Sequence, residues 1–441
     1  MDTIFAEATA LGRAGVAMVR VSGPRAGPAL AALGGALPPP RRAMLLRLRD
    51  PRDQTPLDDG LALWFPAPAS FTGEDVAELH VHGGRAVVAG VLDALAAVAD
   101  LRPAEPGEFS RRAFTNGKLD LTAAEGLADL VAAETEAQRA QALRQLEGAL
   151  GTLYDRWREA LIGALAHVEA DLDFADEDLP ESLTASVRSL VAETAAEIEA
   201  HLDDGRRGER LRDGVSIAII GPPNAGKSSL LNHLAGRDVA IVHETAGTTR
   251  DVIEVHLNLG GFPVTMADTA GIREAGAAVE AEGVRRAVGR AGAADLQIGL
   301  FDATTLPDLD HQTLAILARN TPIVLNKIDL VDDKIPAIIA DHQALAISCL
   351  TGAGIADLVA HLGGLISDMV GSGGGAPLTR PRHRAALGDC LEALGRFAAA
   401  TAPELAAEDL RSATRALGRI TGRVDVEDIL DRIFSEFCIG K

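Results

Sequence analysis

Short runs of β-branched and apolar residues alternate along this chain with longer stretches whose apolar positions recur at helical spacing. The balance between the two changes several times. Residues 1–118 read as mixed α/β. Val16–Val21 and Leu61–Phe65 are strand-like, and Val76–His82 alternates in part before Gly83-Gly84 turns it into an Ala/Val-rich helix over 85–99. Pro38–Pro40 and Pro66–Pro68 mark loops, and the polar stretch Arg102–Lys118 reads as a long loop of functional character. From Leu119 helical spacing takes over. Leu121, Ala124, Leu127, Ala128, Leu130 and Val131 share a face, and similar helices continue through Leu150, over Leu153–Leu172 and over Ser182–Leu202. Asp171–Glu181 is an acidic break that reads as a solvated loop rather than a cation site. Gly205–Gly214, charged and Gly-rich, reads as a linker.

Over 214–370 the pattern becomes strand, loop, helix. Val215–Ile220 and Phe262–Ala267 read as buried strands, and Val252–Leu259 and Phe262–Ala267 flank the hairpin signal Gly260-Gly261. Leu296–Phe301, Pro322–Leu325 and Leu345–Ile347 supply further strands between helices. This predicts a doubly wound sheet with its ligand at the carboxyl edge of the strands. Gly371–Gly375 is a flexible exit, after which helices resume over 382–401, 404–419 and 425–437. The domains expected are 1–118, a first helical part 119–213, an inserted α/β domain 214–370 and a second helical part 371–441.

The α/β domain carries an ordered series of motifs. Gly221-Pro-Pro-Asn-Ala-Gly-Lys-Ser228 fits the phosphate-binding pattern G-x-x-x-x-G-K-[ST] between a strand and a helix. Backbone N–H groups and the helix N-terminus there face phosphates. This makes Asn224, Ala225, Gly226, Lys227, Ser228 and Ser229 candidate nucleotide contacts, with Lys227 on the β- and γ-phosphates and Ser228 on Mg2+. Gly247-Thr-Thr-Arg-Asp251 supplies Thr249 as a second Mg2+ ligand. In Asp268-Thr269-Ala270-Gly271 the Asp sits behind the metal and the Gly271 N–H meets the γ-phosphate. In Asn326-Lys327-Ile-Asp329 the carboxylate accepts from both the ring N–H and the exocyclic amino group of guanine, a donor pair that adenine lacks. Ser348-Cys349 closes the base pocket. The series predicts GTP binding. Ile272 stands where many GTPases place a water-orienting Gln, so water is oriented by another residue or hydrolysis is slow. Asn224 offers a carbonyl oxygen for a monovalent cation beside the phosphates.

Composition narrows the class. With 47% hydrophobic and 24% charged residues in 441, the chain is of ordinary globular character and about three domains long. Aromatics are only 3%, so the cores are built from Ala, Leu, Val and Ile. The three cysteines, Cys349, Cys390 and Cys438, lie far apart, which excludes a disulfide framework and fits a cytoplasmic location. No signal peptide and no membrane-spanning run is expected, and the ending fits prenylation poorly. The net charge of −21 argues against broad non-specific nucleic-acid binding. Arg206, Arg207, Arg210, Arg212 and Arg380–Arg384 are possible local basic patches, but read better as solvated charges at domain junctions. His80 and His82 share a strand face without a clear third metal ligand, and read as ordinary strand histidines. Of 42 basic residues only five are lysines, and besides Lys227 and Lys327 in the motifs this singles out Lys118 and Lys441. Cys438, between Phe437 and Ile439, has no neighbouring base and reads as a packing residue or one that acts only in an assembly.

Taken together, the chain resembles the MnmE/TrmE family of tRNA-modification GTPases over its whole length. The residues that carry the resemblance are Gly221–Ser229, Gly247–Asp251, Asp268–Glu274, Ser70–Asp75, Pro106–Phe109 and the terminal Phe437-Cys-Ile-Gly-Lys441. It implies an N-terminal α+β domain that binds 5-formyl- or methylene-tetrahydrofolate and forms a homodimer. It also implies a helical bundle from both sides of the insertion, and a P-loop, Ras-like G domain. An FAD-dependent partner of the MnmG/GidA type, in a heterotetramer, would share the modification of carbon 5 of the tRNA wobble uridine with an aminomethyl or carboxymethylaminomethyl group. By the same resemblance, His243, Glu244, Thr245, Ala246, Gly247, Thr248 and Thr249 belong to the GTP site, and K+ replaces an arginine finger, held by Asn224, His243, Thr245 and Thr248. Glu280 orients the attacking water, joining Lys227 and Thr249 as catalytic. Arg20, Glu78, Lys118 and Lys441 would bind the folate, although Arg20 and Glu78 also read as a structural ion pair. The alternative function is a GTP switch in ribosome assembly without a role in modification.

Overall fold

The computed structural model describes residues 2–173, 181–236, 254–268, 292, 294–319, 321–331, 335–371, 375–424, 427–435, 437 and 440. It forms two compact units. The first comprises Met1–Ala128, Gln145–Thr194 and Gly388–Lys441, the second Asp129–Arg144 and Ala195–Leu387.

The first unit opens with β1 (Thr3–Glu7), β2 (Ala14–Ser22), α1 (Ala26–Gly34), β3 (Met44–Arg49), β4 (Pro56–Phe65), β5 (Val76–Gly83), α2 (Arg85–Ala96), β6 (Leu101–Pro103) and α3 (Glu108–Thr115). The strands make one six-stranded sheet in the order β3-β4-β5-β2-β1-β6. Side-chain alternation divides its faces. Phe5, Val19, Val21, Leu79 and Val81 pack with Leu30 and Leu33 of α1 and Val91 and Leu95 of α2. Ile4 and Ala6, one residue out of phase with Phe5, turn to a smaller core with Ala104, Phe109 and Phe71.

The segment expected as a loop, 102–118, is thus mostly β6 and α3. Only two positions of α3, Phe109 and Ala113, are buried hydrophobics. One helical turn of spacing is too little to stand out from the charged residues around it. Those charges have a structural task. Arg112, 13% exposed, pairs with Glu74 at 3.1 Å, Glu108 at 3.0 Å and Asp2 at 2.7 Å. Arg102 pairs with Glu108 at 2.6 Å, and Ser22 Oγ donates to Glu74 at 2.7 Å. Burial raises the Glu108 and Asp2 carboxyls, but the hydrogen bonds from Arg102 and Arg112 outweigh it and hold both below their ordinary values. A lowered folded-state pKa stabilises above the unfolded value, and that stability fades as pH falls through the folded one. Arg112→Ala is therefore expected to cost the first unit about 2–4 kcal/mol near neutrality, by leaving the Glu74 carboxylate without its cation and Glu108 and Asp2 with Arg102 alone. The loss should shrink below about pH 4, where those carboxylates protonate. Thermal unfolding of the full chain across pH reads both effects; a pH-independent loss would show that Arg112 acts by packing alone.

The helices of this unit include α6 (Ala149–Asp173) and two late in the chain. α4 (Leu121–Ala132), α5 (Glu136–Leu146) and α7 (Glu181–Leu202) have residues in both units, as does α12 (Pro381–Ala399); α8 (Arg207–Asp213) is in the second. α13 (Pro403–Thr421) packs along α6. Its buried Ala406, Leu410, Ala413 and Leu417 recur at three and four residues, and small side chains let the helices approach. Arg411 pairs with Glu169 and Arg423 with Asp155, at 2.9 and 2.6 Å. Phe434 of α14 (Glu427–Ser435) and Phe437 pack with Phe114, Ala124 and Leu127.

In the second unit the described strands are β7 (Val215–Ile220), β8 (Glu254–Leu259), β9 (Phe262–Asp268), β10 (Leu296–Asp302), β11 (Ile323–Asn326), β12 (Ile338–Ile339) and β13 (His342–Ala346). Their order is β12-β13-β11-β10-β7-β9-β8. β9, β7, β10, β11 and β13 run parallel, with β8 and β12 antiparallel at the edges. α9 (Lys227–Ala235) and α11 (Ile355–Val370) cover one face through Leu230, Leu231, Leu358, Leu362 and Ile366. Leu314 of α10 (His311–Ile316) packs on a second cluster with Phe301, Ile323 and Leu325. Helices on both faces make this the doubly wound sheet that the pattern predicts.

Two readings change here. The stretch 205–214 is largely helix α8, with Leu211 buried, rather than a linker. Two of its arginines are not solvated charges: Arg210 pairs with Asp295 at 2.7 Å and Arg212 with Asp129 at 3.0 Å, whereas Arg206 and Arg207 are exposed. Arg380 pairs with Asp129 and Arg384 with Asp204, both at 2.7 Å. They are spent on carboxylates of this chain rather than held out to nucleic acid. Among the described residues no His, Cys, Asp and Glu group has a metal-binding arrangement, and His82 Nδ1 lies 2.8 Å from Asp58. The acidic residues Asp176, Glu177 and Asp178 lie outside the described residues.

Candidate active site

β7 ends at Ile220 and α9 begins at Lys227; the loop between them is the phosphate-binding candidate. Asn224, with φ +64°, and Gly226, with φ +101°, are both left-handed. This reversal curls the loop so that successive N–H groups can converge on an anion. At Gly226 only hydrogen fits, because a Cβ would lie 2.1 Å from Asn326 Nδ2. Lys227 is 6% exposed. Its ammonium donates to the carbonyls of Gly221 at 2.8 Å and Pro222 at 2.9 Å, which sets it across the mouth of the loop. Ala225 is buried, whereas Asn224, Ser228 and Ser229 are exposed around the rim.

The base-side residues form a connected set. Asn326, at the end of β11, is 2% exposed. Its Nδ2 donates to Ala225 O and its Oδ1 accepts from Cys349 N, both at 3.0 Å. One amide thereby ties the phosphate loop to the Ser348-Cys349 loop. Asp329 follows in a short 3-10 turn, where its Oδ1 accepts from Ser348 Oγ. Ser348 Oγ in turn accepts from Thr351 N at 3.1 Å. Lys327, with φ +67°, donates through Nζ to Asp302 Oδ2 at 2.6 Å. Burial raises the Asp302 carboxyl, but the hydrogen bonds from Lys327 and Thr304 prevail and hold it below its usual range. The Cys349 thiol is pushed up to about 11, chiefly by burial and then by the Asp329 charge. It stays protonated at neutral pH and serves as a wall rather than a nucleophile.

Sequence motifs bring Asn326, Lys327, Asp329, Ser348 and Cys349 together, and the fold does so in space. Two further members were not read from the sequence. Asp302 fixes the Lys327 ammonium, and His233 Nδ1 on α9 lies 3.2 Å from Cys349 O. Asp302 had a signal, a lone carboxylate at the carboxyl end of a parallel strand; His233 had none beyond its helix. Asp268 ends β9, in register with Ile219. His243, Glu244, Thr245, Ala246, Gly247, Thr248, Thr249, Thr269, Ala270, Gly271, Glu280, Cys438 and Lys441 lie outside the described residues.

The second candidate cluster is in the first unit. Arg20 on β2 stands opposite Glu78 on β5. Its Nε and Nη2 lie 3.1 and 3.0 Å from Glu78 Oε1. Arg20 Nη1 reaches Gly440 O at 3.5 Å, so the end of the chain comes back to this strand pair. The guanidinium lies 5.3 Å from the Phe71 ring centre and 5.8 Å from that of Phe109, within cation–π range. The rings belong to the small core with Ile4 and Ala6, so they hold the guanidinium in place, and the guanidinium and the Glu78 carboxylate are the polar groups of this cluster. Lys118 is exposed just after α3.

Residues 3–118 match the family model for the N-terminus of the GTP-binding protein TrmE, and residues 121–438 match the MnmE helical domain. The chain belongs to the MnmE/TrmE family. Its MnmE relatives are alike from end to end. It is 58% identical over 441 residues to the tRNA modification GTPase MnmE of Paramagnetospirillum magneticum, covering 100% of both chains. The protein of the same name from Parvibaculum lavamentivorans is 58% identical, again over 100% of both. That of Rhodospirillum rubrum is 55% identical, with 100% of both covered. Among the described residues no helix is long and apolar enough to cross a membrane.

Proposed function

We propose that this chain hydrolyses GTP to serve tRNA modification. With a flavoprotein partner of the MnmG/GidA type, it takes part in building an aminomethyl or carboxymethylaminomethyl group at carbon 5 of the wobble uridine. The observation that carries this reading is the Asn326 tie between Ala225 and Cys349. It makes one rigid cradle from a phosphate loop and a base-selecting carboxylate, within a chain whose full-length relatives are named tRNA modification GTPases.

The roles follow from the chemistry. The loop N–H groups and Lys227 hold the β- and γ-phosphates and favour negative charge as it develops there. Asp329 selects guanine. Ser228 and Thr249 would hold Mg2+, and Asn224, His243, Thr245 and Thr248 would hold K+; both ions, when bound, supply positive charge along the phosphates. Asn224 suits that role in being left-handed and exposed at the loop rim. Glu280 would orient water in place of the Gln that Ile272 displaces. Arg20, Glu78, Lys118 and Lys441 would bind the tetrahydrofolate of a homodimeric N-terminal domain.

Hydrolysis of GTP by the purified chain in K+ against Na+, at equal ionic strength and across protein concentration, tests the reading. A rate at least about tenfold higher in K+, a difference of about 1.4 kcal/mol in the barrier, is expected, increasing with concentration. Equal rates in the two salts would remove the ion from the mechanism, and a rate per chain that does not change with concentration would remove contact between the G domains of two copies.

A further inference from the structure

The ways into and out of the nucleotide-binding sheet meet at one carboxylate. Asp129 lies in the last turn of α4, and its Oδ1 accepts from Arg212 Nε at 3.0 Å and from Arg380 Nη2 at 2.7 Å. Arg212 is on α8, which runs directly into β7 and the phosphate loop. Arg380 precedes α12, where the chain leaves the domain. The three side chains are only 16%, 27% and 12% exposed, respectively.

The surroundings fix the same junction. Gln138 Nε2 donates to Arg212 O and Gln141 Nε2 to Gly208 O, both at 3.0 Å, so α5 grips the backbone of α8. Gly208 touches the exit segment so closely that a Cβ would lie 2.2 Å from Leu378 O. Arg384 pairs with Asp204 at 2.7 Å and Glu209 at 3.3 Å. On the sheet side, Arg210 pairs with Asp295, whose other oxygen accepts from Ser216 N at 3.0 Å and Ser216 Oγ at 2.8 Å. The start of α5 also donates, from Ala137 N, to Gly261 O in the β8–β9 turn at 3.3 Å.

We propose that Asp129 is a positioning residue for the GTP-driven reaction. It holds α8 and the exit segment in one register, and so passes a change at the phosphate loop to α4 without touching nucleotide. Two guanidiniums converge on one carboxylate oxygen, so removing the charge releases both segments at once, whereas removing either arginine releases one. The coupling rests on the reading that GTP hydrolysis serves tRNA modification; the clamp does not.

The test compares Asp129→Asn and Asp129→Glu in the full chain by three readouts. Asp129→Asn is expected to keep GTP affinity and hydrolysis within about twofold of wild type, since the residue lies outside the nucleotide site. It should lower wobble-uridine modification in cells dependent on the variant by about tenfold or more, a typical coupling magnitude. Amide exchange in α8 and in 376–380 should quicken by about tenfold. Asp129→Glu, which keeps the charge, should restore both. Wild-type modification with unchanged exchange in Asp129→Asn overturns the proposal. So does an equal fall in hydrolysis and modification that Asp129→Glu fails to rescue, which marks a purely structural residue. If the wild-type chain itself supports no modification, the functional reading falls, and the exchange data still judge the clamp.

Discussion

Replacing Asp329 by Asn is expected to move the base preference of this GTPase from guanine to xanthine. Guanine presents two donors side by side, the ring N–H and the exocyclic amine, and a carboxylate answers with two acceptors. In the structure Ser348 Oγ donates to Asp329 Oδ1 and so fixes which oxygen turns to the pocket wall. An Asn at this position keeps its carbonyl oxygen on Ser348 and presents its amide N–H2 where Oδ2 stood. That amide opposes the guanine amine, donor against donor, but matches the carbonyl that xanthine carries in the same place. One charged hydrogen bond is lost and one repulsive contact is made. At about 1.5–3 kcal/mol for each, GTP affinity falls by about 10²–10⁴-fold. The xanthine nucleotide loses little and should become the better ligand. Competition between the two triphosphates for the full-length variant measures this directly. A variant that still prefers GTP would mean that Asp329 does not face the base edge.

The parts legible from the sequence are those whose chemistry is contiguous. The loop 221–228 is one covalent stretch between a strand and a helix, so its residues report the geometry by themselves. Asn326 and Asp329, or Ser348 and Cys349, are likewise near neighbours at a strand end. The parts that escaped reading rest on partners far away in the chain. α8 looked like a linker because its polar residues have no helical pattern of apolar ones; what holds it is Arg210 on Asp295 and Arg212 on Asp129. α3 looked like a loop because its identity depends on Phe109 and Ala113 meeting a core made elsewhere. The motif residues Glu74 and Glu108 could be quoted from the sequence as marks of the family, but not explained. Their use as counter-charges for Arg102 and Arg112 appears only when β5, β6 and α3 are assembled. Asn326 is the intermediate case. Its place in a base-binding motif was plain, but its bond to Ala225 needs β11 and β7 to stand on either side of β10.

That bond makes Gly226→Ala the sharpest test of the cradle. The new methyl would sit 2.1 Å from Asn326 Nδ2, and the backbone at φ +101° already disfavours any side chain. A left-handed non-glycine residue costs about 1–2 kcal/mol. Displacing the Asn326 amide leaves the Ala225 carbonyl without its buried partner, at about 1–3 kcal/mol more. The sum, about 2–5 kcal/mol, falls on the conformation that binds nucleotide, so GTP affinity should drop by about 1.5 to 3.5 orders of magnitude. Gly395→Ala provides the contrast. It lies within α12, where a Cβ meets nothing within 4 Å. There the same substitution should raise stability by about 0.5–1 kcal/mol and leave GTP binding unchanged. Nucleotide titration and thermal unfolding of both variants separate the two effects. If Gly226→Ala binds GTP within about threefold of wild type, under 1 kcal/mol, then the Asn326 amide can yield without consequence. The tie between phosphate loop and base loop would then be a contact of the fold and not a support of the site.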